Sequence, residues 1–164
     1  MNEIVKYGHP SLTIKCKSVT VFDKSLKTLA DKMLEIMYLN KGVGLAAPQI
    51  GIDMNIFVYD AGNGANICIN PKLISKKNKS AFHEGCLSLP GYYWEITRSD
   101  YVKITAQDLD GINKIHEGDE LIGRVLQHEI DHLKGKILLS KLKRSERKEA
   151  LMKIALNGVP GKDV

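Results

Sequence analysis

The sequence predicts an α+β protein with largely antiparallel sheets around a central helix, flanked by an N-terminal helix and a C-terminal helix. Segments with helical spacing of apolar residues lie toward both ends and at 119–133, whereas segments rich in β-branched and aromatic residues are grouped in the middle. Strands grouped in the middle, with helices at both ends, favour a largely antiparallel sheet. With 164 residues the chain is long enough for one hydrophobic core, so we expect a single domain over 1–164.

The N-terminal half contains one helix and a hairpin. Apolar residues at helical spacing predict a helix over 24–40, with Asp23 as its N-cap. Strands are predicted at 55–60 and 66–70, joined by Gly62-Asn63-Gly64, in which Asn-Gly favours a tight turn. A polar loop is predicted at 76–80.

The C-terminal half continues with strands and ends with two helices. Three strands are predicted, at 92–97, 101–106 and 112–117, with a turn at 108–111. Two helices are predicted, one over 119–133 that ends near Gly135 and one over 142–156.

The composition is that of an ordinary folded protein. With 43% hydrophobic and 26% charged residues, the chain is neither disordered nor fibrous. Its cysteines, Cys16, Cys68 and Cys86, are odd in number and form no CxxC pair, which favours a reducing compartment over a disulfide framework. The N-terminus lacks the apolar core of a signal peptide, and no run has membrane-spanning length. We therefore expect a soluble intracellular protein without membrane contact.

The net charge of +5 is unevenly distributed. Residues 141–164 hold seven Lys or Arg against three acidic residues, a net +4, and the remainder is nearly balanced. The basic residues of this segment are Lys141, Lys143, Arg144, Arg147, Lys148, Lys153 and Lys162. A basic tail can attract polyanions such as RNA, although a solvated helix face is the more common interpretation of such a charge run.

His128 and His132 form an HExxH motif inside the predicted helix 119–133. Side chains at i and i+4 lie one above the other on a helix, so both imidazoles can bind one metal ion. Glu129 between them can serve as a base for a water molecule. Leu121 and Val125 fall on the same face at about 100° per residue and form an apolar wall beside the pair. The alternative of two hydrogen-bonded core histidines would leave Glu129 buried without a partner.

A catalytic metal site commonly has three protein ligands, and the sequence offers several residues as the third. No histidine follows the pair, and Leu138 occupies the third histidine position of the HExxHxxGxxH pattern. Glu146 and Glu149 belong to a basic helix that we expect to be exposed. Cys86 is the stronger candidate, because it lies in EGCLSLP at 84–90, where a glycine permits close backbone approach and a proline ends the segment. A single cysteine is also often a small buried apolar residue.

The segment GVGLAAPQ at 42–49 imitates the dinucleotide-binding fingerprint GxGxxA. That motif must follow a strand and open a helix, whereas this segment follows a predicted helix and contains Pro48. We interpret it as an apolar loop on the core, or as a backbone ledge for a substrate chain with Gln49 as an amide donor.

Three motifs together, GVGLAAPQ at 42–49, EGCLS at 84–88 and QHEIDH at 127–132, resemble the peptide deformylase family in their order and separations. The likeness extends over about residues 1–145, and Asn70-Pro71 and Arg98 also fall at familiar positions. It implies a catalytic domain, with 141–164 as a basic C-terminal helix and tail. The implied reaction is removal of the formyl group from N-formyl-methionine at the start of new polypeptides, with release of formate.

The resemblance also implies the roles of the site residues. One divalent metal ion would be bound by one thiolate and two imidazoles: Cys86, His128 and His132. Fe(II) is the expected native metal, with zinc or nickel as alternatives that the same ligands accept. Glu129 would accept a proton from the attacking water and deliver it to the departing amine. The Gln49 amide and the Leu87 backbone N–H would stabilise the developing negative charge.

The methionine side chain needs an unbranched apolar slot. The expected walls of this slot are Val43, Leu121, Val125 and the ring of His128. The backbone of Val43 and Gly85 would pair with an extended substrate as an added strand, and Gly44 is also expected among the substrate-binding residues. Tyr92, Tyr93 and Trp94 are expected to border the opening, although strand aromatics are often plain packing residues.

Four residues near the motifs carry expectations of their own. Glu84 and Arg98 are expected to form an ion pair that supports the Cys86 loop. Gly123 stands where an alanine is frequent in the family, and because it points away from the metal face we expect only a small loss of helix propensity. Asp131 is expected near the surface.

The resemblance also bears on partners and location. The basic C-terminal helix is similar to the tail with which some bacterial members dock on the ribosome, which makes ribosome contact a hypothesis, and no specific DNA binding is expected. The location is the bacterial cytoplasm, or an organelle if a transit peptide has been removed.

Two rival functions share parts of this pattern. A zinc endopeptidase with HExxH would cut internal peptide bonds. A non-catalytic module would use Cys68 as the fourth ligand of a closed Cys2His2 site, although Cys68 lies between Ile67 and Ile69 in a predicted strand, where a core thiol is expected.

Overall fold

The structure is a computed structural model that describes residues 3–161 of the chain. Its helices are α1 (Lys24–Leu39), α2 (Glu120–Leu133) and α3 (Arg144–Asn157). Its strands are β1 (Gly44–Ala46), β2 (Ile56–Tyr59), β3 (Asn66–Lys77), β4 (Ser80–Cys86), β5 (Leu89–Arg98), β6 (Tyr101–Gln107) and β7 (Asn113–Gly118). The predicted α+β class with antiparallel sheets is confirmed.

The strands form two separate antiparallel sheets. A five-stranded sheet has the order β1-β2-β3-β6-β7, and β4 pairs only with β5 in a two-stranded sheet. Alternate residues of β2 point to opposite faces of the large sheet. Ile56 packs with α1 residues such as Met33, whereas Phe57 packs with Leu126 and Leu133 of α2. The helix that carries HExxH is therefore held against one face of the large sheet, with α1 on the other.

In the N-terminal half the predicted N-cap and hairpin are present, but the hairpin has no tight Asn-Gly turn, because six residues, 60–65, connect β2 to β3. The Asp23 Oδ1 atom accepts a hydrogen bond from the N–H of Leu26 at 3.1 Å and caps α1. In the turn between β2 and β3, Asp60 Oδ1 accepts hydrogen bonds from the N–H groups of Gly62 at 2.8 Å and Gly64 at 3.1 Å. Both glycines have φ above 100°, which a residue with a side chain rarely adopts.

The structure differs from the strand predictions at β3, β4 and β5. β3 continues to Lys77, so the loop predicted at 76–80 is reduced to a two-residue turn. The register shifts after Ile69, where Asn70 has a φ of 50° and its side chain bonds the backbone of Val19. β4 was not predicted as a strand, because none of its residues is buried and its sequence shows no apolar alternation. Pro90 does not end its segment but lies inside β5.

The glycine-containing segment and the C-terminal helix also differ in detail from the sequence predictions. Residues 42–49 are not simply a loop, since β1 is an edge strand and Ala47–Ile50 form a 3-10 turn. α3 begins two residues later than predicted, after a 3-10 turn at Leu138–Lys141, and it packs through Ala150 and Ile154 against β5. Part of the predicted basic tail, residues 162–164, lies outside the described residues.

At position 123, close packing against backbone atoms favours glycine more strongly than helix propensity disfavours it. A Cβ placed there would lie 2.3 Å from the backbone oxygen of Asp100 and 3.0 Å from that of Gly118. The expectation of a small propensity effect alone is therefore wrong, because an alanine would collide with backbone atoms.

Within residues 3–161, no helix is both long and apolar enough to cross a lipid bilayer.

Candidate metal centre and active site

Three potential metal ligands meet between the small sheet and α2. Cys86 is the last residue of β4, and His128 and His132 lie one turn apart on α2. Their donor atoms lie within 4.8 Å of one another. The Nε2 atom of His132 is 3.3 Å from Cys86 Sγ and 3.2 Å from His128 Nε2. This group could hold a metal ion.

The chemistry of the donors fits a divalent transition metal. His128 Nδ1 lies 3.2 Å from Glu84 Oε2, which favours the tautomer with the proton on Nδ1 and leaves the Nε2 lone pair toward the cluster. Burial opposes ionisation of Cys86, but His132 and His128 hold the pKa of its thiol well below the ordinary value. A thiolate and two imidazole lone pairs this close repel one another unless a cation lies among them, and they are ligands that zinc, iron and nickel accept.

Glu129 lies beside the donors in a buried position. The residue is 3% exposed, and its Oε2 atom has no hydrogen-bond partner among the residues that the structure describes. Burial raises the pKa of its carboxyl group, although His128 and His132 oppose the rise. A buried carboxyl group whose pKa is raised is suited to accept a proton and return it.

Glu84 joins the small sheet to a histidine. The expected ion pair is present, since Arg98 Nε lies 2.7 Å from Glu84 Oε1. Burial opposes ionisation, but hydrogen bonds from His128 and Arg98 lower the pKa of Glu84 to about 2. Asp131 is less exposed than predicted, because its carboxylate pairs with Arg98 Nη1 at 2.8 Å and Lys141 Nζ at 3.1 Å and is only 15% exposed.

Gln49 and Leu87 lie next to the cluster. Gln49 is 1% exposed, and its Oε1 atom accepts a hydrogen bond from the N–H of Ala46 at 3.0 Å. This bond directs the Nε2 amide toward Cys86 Sγ at 3.5 Å and Ser88 Oγ at 3.4 Å. Leu87 follows Cys86 in the turn between β4 and β5.

A cavity of about 830 Å³ opens over these residues. It is lined by every predicted substrate-binding residue: Val43, Gly44, Gly85, Leu121 and Val125. Tyr92 and Tyr93 also line it, whereas Trp94 does not and instead stacks on Tyr92. Of the other predicted site residues, Arg98 and His132 lie behind the cavity wall.

The lining residues that sequence reasoning missed include Arg124 and Phe82. The guanidinium group of Arg124 lies 4.7 Å from the centre of the Phe82 ring and donates a hydrogen bond to Glu84 Oε1 at 2.9 Å. A sequence signal for Arg124 existed, because it precedes His128 by four residues and so lies on the histidine side of the helix.

The chain matches the family model described as Polypeptide deformylase over residues 1–148. The chain belongs to the peptide deformylase family. Peptide deformylase 1 of Bacillus anthracis is 43% identical over 144 residues, which cover 87% of this chain and 92% of the relative. Peptide deformylase of Thermotoga neapolitana is 40% identical over 159 residues, which cover 94% of this chain and 97% of the relative.

Solved structures of peptide deformylases share the fold. The crystal structure of peptide deformylase from Thermus thermophilus has a TM-score of 0.90 and 37% identity, covering 95% of this chain and 94% of that chain. The peptide deformylase of Ehrlichia chaffeensis in complex with actinonin has a TM-score of 0.89 and 33% identity, covering 95% and 96%. Peptide deformylases are metal-dependent enzymes that remove the formyl group from the N-terminal methionine of nascent chains.

Proposed function

We propose that this chain hydrolyses the formyl group from the N-formyl-methionine of newly made polypeptides and releases formate. The observation that carries the proposal is the convergence of Cys86, His128 and His132 beside the buried carboxyl group of Glu129, at one cavity. Residues 1–164 form one catalytic domain in this proposal.

Cys86, His128 and His132 would hold one divalent metal ion. When bound, the ion supplies Lewis acidity toward the formyl group and the attacking water. Fe(II) is the proposed native metal, and the thiolate with two imidazoles also accepts zinc or nickel.

Glu129 carries the proton of the reaction. It accepts a proton from the water whose oxygen bonds to the formyl carbon. As the carbon–nitrogen bond breaks, the same carboxyl group delivers that proton to the departing amine. Its raised pKa supports this exchange, because a carboxyl group with a lower pKa would hold the accepted proton less readily.

Gln49 and Leu87 stabilise the negative charge that grows on the formyl oxygen. The Gln49 amide is held in place by Ala46, so its N–H donors need little reorganisation during the reaction. The backbone N–H of Leu87 supplies a second donor immediately after Cys86.

The substrate lies along the free edge of β1. The Val43 carbonyl already accepts a hydrogen bond from the N–H of Asp60 at 2.9 Å, so that carbonyl does not serve the substrate. By alternation along the strand, the N–H and carbonyl of Gly44 point to the free edge, and they pair with an extended peptide opposite Gly85. Main-chain pairing of this kind reads no side chain and suits an enzyme that accepts many sequences.

The methionine side chain enters the apolar part of the cavity. Val43, Val125, Leu121 and the ring of His128 form its walls. Leu121 is 49% exposed, which places it at the mouth of the slot and Val125, at 7%, deeper inside.

The place of action is the bacterial cytoplasm or an organelle. Contact with the ribosome through α3, and the absence of specific DNA binding, stay predictions. α3 packs on β5 through Ala150 and Ile154, so any such contact would use its outer face, which carries Lys148.

Formate release from a formyl-Met peptide, measured on protein loaded anaerobically with Fe(II) and separately with zinc or nickel, tests this function. Glu129→Gln should keep one metal ion per chain and lose most turnover, because the amide cannot carry the proton. An unformylated peptide should stay intact, and its cleavage would favour the endopeptidase alternative. Metal-loaded protein that releases no formate would overturn the proposal.

A further inference from the structure

The three metal ligands belong to two units that share little backbone packing. Cys86 belongs to the small sheet of β4 and β5, which is not hydrogen-bonded to the large sheet. His128 and His132 belong to α2, whose backbone packs mainly on β1, β2, β6 and β7. The distance from the thiolate to the imidazoles therefore depends on side chains that connect α2 to the small sheet.

Arg124 is connected to both strands of the small sheet. It is 8% exposed and lies one helical turn before His128. Its Nη2 atom donates to the backbone oxygen of Ser80 in β4 at 2.7 Å, and its Nη1 atom donates to that of Ile96 in β5 at 3.0 Å. Its guanidinium group also covers the Phe82 ring of β4. A planar guanidinium makes such a set of directed bonds, whereas an ammonium group cannot.

Arg124 also affects the carboxylate that orients His128. Glu84 Oε1 accepts hydrogen bonds from Arg124 Nη1 at 2.9 Å and Arg98 Nε at 2.7 Å. The other oxygen, Oε2, lies 3.2 Å from His128 Nδ1. Carboxylates that bond the outer nitrogen of a metal-binding histidine set its tautomer and ring orientation.

We propose that Arg124 is a positioning residue that sets the distance between Cys86 Sγ and the two histidine nitrogens, and thereby the affinity for the metal. The inference rests on the proposed metal site but not on deformylation itself. The guanidinium group clamps the small sheet onto α2 before any metal binds, so the site needs little rearrangement to receive the ion. Arg124 touches neither the metal nor the reacting atoms in this role.

Competition for Co(II) with a chromogenic chelator, together with the visible spectrum of the Co(II) protein, tests the proposal. Arg124→Met keeps an apolar stem and removes the guanidinium group, and we expect Co(II) affinity to fall by about 10-fold to 100-fold. In Arg124→Met, the absorption band that arises from charge transfer between the Cys86 thiolate and Co(II) should broaden or shift. Arg124→Lys, which keeps the charge but not the planar group, should restore less than half of the lost binding free energy.

Arg147→Met is the matched control. Arg147 also donates to backbone oxygens, those of Leu139 at 2.8 Å and Ser140 at 3.0 Å, but it lies on α3. The Arg147→Met substitution should lower the melting temperature without changing the Co(II) affinity or the visible spectrum of the Co(II) protein.

The proposal would be overturned if folded Arg124→Met bound Co(II) with wild-type affinity and spectrum, or if Arg124→Lys matched the wild type in both. If Arg124→Met does not fold, the Co(II) affinity and spectrum of Arg124→Lys decide whether the proposal holds. Wild-type protein that binds Co(II) tightly but releases no formate would refute the proposed function and leave this inference standing.

Discussion

Replacement of Gly44 by alanine should remove most of the deformylase activity by displacing Glu129. A Cβ on Gly44 would lie 2.4 Å from Glu129 Oε1 and 2.9 Å from its Cδ. Since an ordinary contact begins at 3.4 Å, the carboxylate must retreat by about 1 Å. A displacement of this size in a catalytic group costs about 10²-fold in rate, so we expect kcat to fall by that order.

The measurement is kcat for formate release, with the metal content determined on the same samples. Metal content should stay at the wild-type value, because the three ligands lie on β4 and α2 and not on β1. Gly64→Ala is the control: a Cβ there meets no atom within 4 Å, but the φ of 108° is strained for alanine. That variant should lose stability and keep its activity.

A double-mutant cycle makes the test sharper. Because Gly44→Ala is expected to act only through the Glu129 carboxylate, combining it with Glu129→Gln should reduce kcat no further than Glu129→Gln alone. The reasoning is refuted if Gly44→Ala keeps kcat within about threefold of the wild type, or if the two losses multiply.

Three further predictions concern packing and titration. Gly123→Ala should lower the free energy of unfolding in urea by about 1–3 kcal/mol in spite of the better helix propensity of alanine, because its Cβ would lie 2.3 Å from the Asp100 backbone oxygen; an unchanged value would contradict this. Cys68→Ser should keep one metal ion per chain but lower stability, because Cys68 is fully buried in the core. Loss of the metal, measured by elemental analysis, would instead support the closed Cys2His2 site. Burial lowers the pKa of His116 below 6.5, so the folded protein disfavours its charged form. The contribution of neutral His116 to the free energy of unfolding should therefore be fully present above about pH 6.5 and should fall as the pH drops below that value. His116→Gln should flatten this part of the plot of urea midpoint against pH.

The parts of the fold that were predicted well depend on near neighbours in the chain. Asp23, the predicted N-cap, caps α1 through Leu26, three residues away. The predicted hairpin is also present, although Asp60 closes it through Gly62 and Gly64 in place of an Asn-Gly tight turn. β4 was missed because a strand in which no residue is buried has no apolar alternation to indicate it. The length of β3 was missed because the strand continues past a register shift at Asn70. The Asn70 side chain accepts a hydrogen bond there from the backbone of Val19, 51 residues earlier in the chain.

As with the fold, the parts of the site that depend on near neighbours in the chain were predicted, and the parts that depend on distant residues were not. The i and i+4 spacing places both histidines on one helix face. The EGCLSLP context already made Cys86 the stronger candidate for the third ligand, and the family resemblance then assigned that role to it. Arg124 was missed because its partners Glu84 and Ile96 lie 40 and 28 residues earlier in the chain.

By itself the sequence determined the class of the fold, the helix that presents His128 and His132, and the family to which the motifs are similar. These follow from periodicity, capping and short motifs, which act over a few residues. Only the tertiary structure decided that Gly44 leaves room for Glu129, that Gly123 must lie against Asp100, and how the small sheet is joined to α2. Contacts of this kind depend on distances between elements that are far apart in the chain, and those distances arise only when the elements pack together.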